Sequence, residues 1–135
     1  FFLSSNSEEF LSKIQIPKFL NARSVPNEVQ LSIGPDGSGA HPHYHEAAWN
    51  AVSQGRKDWT LFRQDDAFVG AMSGSQFTDQ YEMNEEVQEI TCSQLAGDII
   101  YVPHGWGHTL INKGEVTIGV AVQFNEEAID FGSPN

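Results

Sequence analysis

From Val29 to Phe124 the chain is a succession of short runs rich in apolar residues, punctuated by glycine, proline, asparagine and aspartate. Val29-Gln30-Leu31-Ser32-Ile33 alternates apolar and polar residues as a strand does, and His41 to His45, Ala48 to Gln54 and Lys57 to Phe62 are each of strand length. Further strands are expected at Val87 to Cys92, Asp98 to Val102, His108 to Asn112 and Val116 to Phe124. Many short strands at close spacing imply an all-β sandwich or barrel. Gly34-Pro35-Asp36-Gly37-Ser38-Gly39 is a turn cluster, and Asn112-Lys113-Gly114 reads as a hairpin connection between the last two strands. Asp65 to Glu86 reads as a long excursion between two halves of the sheet. Residues 1–25 hold a short N-terminal helix and a lead-in. Phe10, Leu11 and Ile14 have helical spacing, Ser5 or Ser7 can cap, Glu8 and Glu9 suit the first turn, and Pro17 ends the helix.

A chain of 135 residues fits a single domain over 1–135. Its longest apolar runs, Ile99 to Val102 and Val116 to Val122, fall far short of the ~20 residues of a membrane helix, so no membrane span is expected. Eighteen acidic against seven basic residues give a formal charge of −11, which argues against nucleic acid as a partner. The one cysteine, Cys92, excludes an internal disulfide framework and a cysteine-rich zinc site, and it reads as an inert buried thiol. The chain starts Phe1-Phe2-Leu3 without Met or a signal-peptide pattern, so a piece of a longer protein is expected.

The five histidines lie in two places, His41, His43 and His45 in one segment and His104 and His108 in another. In a strand, residues two apart share a face, so the first three would line one wall. Two neutral imidazoles at that spacing can reach one metal ion, and a third from a distant strand can close a facial triangle. His108 begins a strand after the turn of Pro103 to Gly107 and suits that third place. A lone histidine is more often an ordinary surface or core residue, but imidazoles crowded inside a barrel require a reason. His41 shares the strand face, and a register shift of two residues would exchange it for His45. His104, in the turn, is expected to be exposed. Trp49, Trp59 and Trp106, with Phe62, Tyr101 and Phe124, read as core or rim, and Glu82, Glu85, Glu86 and Glu89 as a solvated face.

Two spaced patterns carry a family resemblance. Gly37, five residues, His43, Tyr44, His45 resembles the opening of the first cupin motif. Gly97, five residues, Pro103, one residue, Gly105, two residues, His108, three residues, Asn112 matches every fixed position of the second. Within the cupin superfamily the chain is similar to JmjC-like domains through Ile16 to Leu20 (IPKFL), Ala48 to Ala51 leading to Gly55 to Trp59, and Ala96 to Pro103 (AGDIIYVP). The resemblance implies a double-stranded β-helix, the cupin or jelly-roll barrel, whose usual upstream elements are missing here. In catalytic relatives Fe(II) is held by a histidine, a carboxylate two residues on and a distal histidine, and 2-oxoglutarate takes two further positions. Carried onto this chain, His43 and His108 match the histidines and His45 falls on the carboxylate position. Where the first motif calls for a later acidic ligand the chain has Trp49 or Asn50. Lys57 matches the lysine that pairs with the distal carboxylate of 2-oxoglutarate, and Asn50 matches an amide beside the metal and cosubstrate. Val120 and Ala121 are apolar where relatives place a polar cosubstrate contact.

The implied metal ligands are therefore His43, His45 and His108 for Fe(II), with Zn(II) or Ni(II) also acceptable to three imidazoles. Three functions remain open: an Fe(II)- and 2-oxoglutarate-dependent oxygenase acting on a protein side chain or small molecule, a non-catalytic cupin serving as a structural or interaction subunit of a larger assembly with protein partners, or a small-molecule or sugar binder using the barrel mouth, for which no distinct residues speak. By family resemblance, the endoplasmic reticulum lumen is one compatible location.

Overall fold

The computed structural model describes residues 2–4, 26–63 and 88–125. The helix expected over Ser5 to Ile14 and the excursion expected over Asp65 to Glu86 lie outside these residues. All regular structure in the described residues is β: β1 (Phe2–Ser4), β2 (Pro26–Gly34), β3 (Gly39–His43), β4 (Ala48–Phe62), β5 (Glu89–Leu95), β6 (Ile99–Val102) and β7 (Gly107–Phe124). Strand β1, within the segment expected to be helix and lead-in, adds to β2 through Phe2 opposite Ser32 and Ser4 opposite Gln30.

Strands β4 and β7, 15 and 18 residues long, run antiparallel beside each other over nearly their whole lengths. Each is long enough to cross two sheets. The first half of β4 and the second half of β7 lie between β6 and β2, while the second half of β4 and the first half of β7 lie between β5 and β3. The two sheets face each other, with Trp59 and Leu61 of one packed with Val102 and Ile100 of the other. The result is the double-stranded β-helix that the motifs imply.

Two expectations about connectivity are corrected. The strands expected at Ala48 to Gln54 and Lys57 to Phe62 are a single strand bent at Gly55, and Asn112-Lys113-Gly114 is a bend inside β7 rather than a hairpin. Gln54 pairs with Ile118 while Arg56 pairs with Lys113, so residues 114–117 of β7 lie opposite Gly55 alone. Gly55 and Gly114 have φ of 78° and 99°, the left-handed conformation that glycine adopts without steric cost. A hairpin turn and a sheet-crossing bulge ask for the same residue there.

Cross-strand pairing decides which residues face inward. Val29, Val122, Trp49 and Tyr101 lie in one row across four strands and share a face. With Ala47 and Phe124 they belong to one apolar cluster. In the next row, Gln30, Ala121 and Asn50 project to the opposite face and line the barrel interior. Gln30 and Ser32 of β2 therefore point into the barrel. Cys92, expected to be buried, is exposed on β5, which pairs with β4 on one side only among the described residues.

The bend at Gly55 generates a stability prediction. A Cβ there would lie 2.5 Å from Thr117 Oγ1 and 2.7 Å from the Val116 carbonyl oxygen, whereas one at Gly97, also left-handed at φ 95°, would meet nothing within 4 Å. Gly97→Ala should cost about 1 kcal/mol of backbone strain and Gly55→Ala about 3 kcal/mol or more, measured by urea unfolding. Equal costs would show that the bend does not depend on close packing at Gly55.

Candidate metal centre

His43, the last residue of β3, pairs directly with His108, the second residue of β7, just after a register break between Ala40 and His43. His45 lies two residues past the end of β3, so it reaches the same place from a turn and not, as strand alternation implied, along the strand face. That turn is tied down where the Gly105 amide donates to the His45 carbonyl at 3.0 Å. The three rings converge, with centroids 4.2 Å apart for His43 and His108, 4.7 Å for His45 and His108, and 5.3 Å for His43 and His45. One ring nitrogen of each lies within 4.8 Å of the other two.

The tautomers follow from the backbone. Nδ1 of His43 lies 2.5 Å from the His41 carbonyl oxygen, Nδ1 of His45 is 2.6 Å from that of Glu46, and Nδ1 of His108 is 3.1 Å from that of Trp106. A carbonyl oxygen only accepts, so in the neutral ring each Nδ1 carries the hydrogen and each Nε2 keeps a lone pair. Burial, and then the neighbouring His43, push His108 down to about 3; burial likewise lowers His43. Three imidazoles, each oriented by a backbone acceptor, form a donor set suited to a divalent metal ion. Among the described residues no carboxylate joins the cluster. His41 and His104 stay outside it: His41 is exposed and contributes its carbonyl, and His104 pairs with Glu46 at 2.9 Å.

A cavity of about 60 Å³ runs from the histidines into the barrel, with Trp59, Leu110 and Val102 contributing apolar wall. At its inner end lies Lys57, only 2% exposed. Its ammonium donates to Ser32 Oγ at 3.1 Å and Asn50 Oδ1 at 3.4 Å. Both acceptors are neutral, and among the described residues no carboxylate pairs with Lys57. Burial lowers its pKa from 10.5 to about 8. Gly119 leaves the space Lys57 occupies, since a Cβ there would stand 3.1 Å from Nζ and 2.8 Å from the Ala51 carbonyl oxygen. Asn50 and Lys57 thus meet at this end of the cavity.

Two supporting residues went unread in the sequence. Ser32 faces the cavity on the row following Gln30. Gln94, 1% exposed, accepts from Trp59 Nε1 at 2.9 Å and donates to the carbonyls of Asn50 at 2.8 Å and Asp98 at 3.1 Å. It thereby fixes Trp59, whose ring lies 5.9 Å from that of His108. A glutamine in a strand usually signals solvent, so only the pairing reveals this role.

The JmjC domain family matches residues 5–130. The lysine-specific demethylase JMJ21 of Arabidopsis thaliana is 33% identical over 135 aligned residues, which cover 84% of this chain and 14% of that protein. The arginine-specific demethylase JMJ22 of the same plant is 33% identical over 108 residues, covering 67% of this chain and 22% of that protein. The chain therefore spans only a minor part of either relative. Among solved structures, Escherichia coli ycfD superposes with a TM-score of 0.51 at 19% identity over 82% of this chain and 26% of that one, a likeness of fold.

Replacing His43 or His108 with Ala should remove nearly all bound metal from protein reconstituted with Fe(II) or Zn(II), whereas His41→Ala and His104→Ala should remove little. Metal content per chain after gel filtration checks this. Full occupancy in the His43 or His108 variant would end the proposed ligand set.

Proposed function

This chain belongs to the JmjC domain family, and from that membership we propose an oxygenase-type domain in which His43, His45 and His108 hold Fe(II) while Lys57 and Asn50 anchor 2-oxoglutarate. The observation that carries this reading is one cavity joining three imidazoles to a buried ammonium that has no counter-anion among the described residues. A cation withdrawn from water needs charge compensation. A short dicarboxylate supplies it at Lys57 while its other end reaches the histidines. Bound Fe(II) would contribute redox chemistry and Lewis acidity toward the oxoacid and oxygen.

The chain's own residues bind and orient. The three backbone carbonyls hold the imidazoles in one tautomer, Ser32 and Asn50 aim the Lys57 ammonium, and Trp59, Leu110 and Val102 exclude water from the space between. His45 sets this site apart from the carboxylate-bearing pattern. Three neutral ligands leave the dication's charge uncompensated, which favours binding of a dianion and weakens anionic donation to the metal. Binding and turnover therefore separate, with 2-oxoglutarate held but oxidatively decarboxylated slowly. The names of the two Arabidopsis relatives, a lysine- and an arginine-specific demethylase, support a protein side chain as the substrate class.

Anaerobic titration of the Fe(II)-loaded protein with 2-oxoglutarate tests the anchor. Lys57→Met should weaken binding by about 10- to 100-fold, the worth of a charge-assisted hydrogen bond. Only the ammonium form attracts the anion, so affinity should be fully present below pH 8 and decline as pH rises through about 8. That decline should vanish in Lys57→Met. Binding indifferent to Lys57 would remove the cosubstrate assignment.

His45→Asp should raise 2-oxoglutarate-coupled oxygen consumption several-fold by restoring an anionic ligand. Vigorous turnover by the unmodified protein would overturn this account of His45.

A further inference from the structure

Gln94, near the end of β5, lies two residues along from Cys92, the ladder partner of Trp59. Its partners settle the orientation of its amide. The carbonyl oxygens of Asn50 and Asp98, at 2.8 and 3.1 Å, only accept, so they take the hydrogens of Nε2 and leave Oε1 facing Trp59 Nε1 at 2.9 Å. The amide donates twice and accepts once, which no other side chain of this length can do. A carboxylate there would set an oxygen against two carbonyls. The β5–β6 turn that supplies Asp98 is itself tied down, since the Gly97 amide donates to the Val52 carbonyl at 2.8 Å and the Leu95 amide to the Asp98 carboxylate at 2.9 Å. Backbone atoms thus lock the amide, and what it offers outward is one acceptor for an indole.

Trp59 depends on that acceptor. Its ring is 3% exposed, lines the cavity and stands 5.9 Å from the His108 ring at a tilt of 35°. Its buried apolar neighbours, Leu61 and Val102, have no side-chain group to accept a hydrogen bond. Without Gln94 the N–H would be buried and unpaired, the costly half of an unmade hydrogen bond. The cavity wall holds the acceptors left to it, on His108 and Asn50, so the ring would turn that way. In a cavity of about 60 Å³ even a partial turn takes up the space a ligand needs. Resting on the reading of the cavity as an anion site, we propose that Gln94 is a positioning residue that holds the Trp59 indole beside His108 and out of the ligand's space. A residue that only fills volume is replaced by any side chain of the same size. Gln94 acts through one N–H, and its loss should cost the site nothing once that N–H is gone.

Calorimetric titration of the full chain, loaded with redox-inert Zn(II), with 2-oxoglutarate reads this dependence. Gln94→Met, unbranched and of similar length, should weaken binding about tenfold, the scale of one buried unpaired donor. The variant that also carries Trp59→Phe should bind tighter than Gln94→Met and as tightly as Trp59→Phe alone. A loss that persists in the double variant would overturn the proposal, because it would come from the Asn50 carbonyl or from general loosening. Deuterium exchange of the Trp59 indole N–H in the unmodified protein decides the matter if Gln94→Met does not fold. Its NMR signal is the one absent from Trp59→Phe, and it should exchange slowly both with and without 2-oxoglutarate. An indole that exchanges freely until 2-oxoglutarate binds would overturn the proposal, since the ligand would then place the ring. If 2-oxoglutarate does not bind, or binds equally well to Lys57→Met, the anion reading falls, and the exchange rates still decide whether Gln94 holds the ring.

Discussion

The antiparallel ladder between β4 and β7 is the constraint on which the site depends. Because both strands cross both sheets, their inward residues form a column along the barrel wall: Leu61 beside His108, Trp59 beside Leu110, Lys57 beside Asn112. At about 3.3 Å of rise per residue, the ends of that column are ~13 Å apart along the backbone. His108 and the Lys57 ammonium therefore occupy opposite ends of one cavity, both placed by the ladder itself. Close approach of β3 completes the metal end. Gly39 makes it possible, because a Cβ there would overlap the Leu110 carbonyl, and it delivers His43 to His108.

The electrostatics of the interior oppose those of the chain as a whole. The sequence carries a formal charge of −11, yet among the described residues those around the cavity include no carboxylate, and Lys57 is the one lysine or arginine among them. Burial holds His43 and His108 neutral and lowers Lys57. Each shift is the cost of keeping charge from water, and each is relieved by a bound partner: a dication on the imidazole lone pairs, an anion on the ammonium. The two partners also neutralise each other, which is why a metal and a short dianion make a better joint occupant than either alone.

Much of this was legible in the sequence, for specific reasons. Strand-length runs located the β-elements, and the spacing from Gly97 to Asn112 placed His108 correctly after its turn. His43 and His45 were identified by alternation along a strand, although His45 lies beyond the strand's end; the same pair converges because the turn is pinned to Gly105. The bends at Gly55 and Gly114 were not legible as bends, since left-handed glycine serves hairpins and bulges alike. Ser32 and Gln94 were invisible in role, because a polar residue in a strand reads as solvent-facing until pairing shows which face the barrel encloses. Cys92 failed the opposite way: a small thiol in a strand reads as buried, but β5 leaves it exposed.

On the proposed reading, one metal ion is bound by three imidazoles and keeps room for an anion drawn in by Lys57. X-ray absorption at the metal edge of the Fe(II)-loaded full chain, with and without 2-oxoglutarate, measures this most directly. Both samples should show the outer-shell scattering of three imidazoles, with only the remaining light-atom ligands changing when 2-oxoglutarate is added. Fewer than three imidazoles, or a shell that 2-oxoglutarate leaves unaltered, would contradict it.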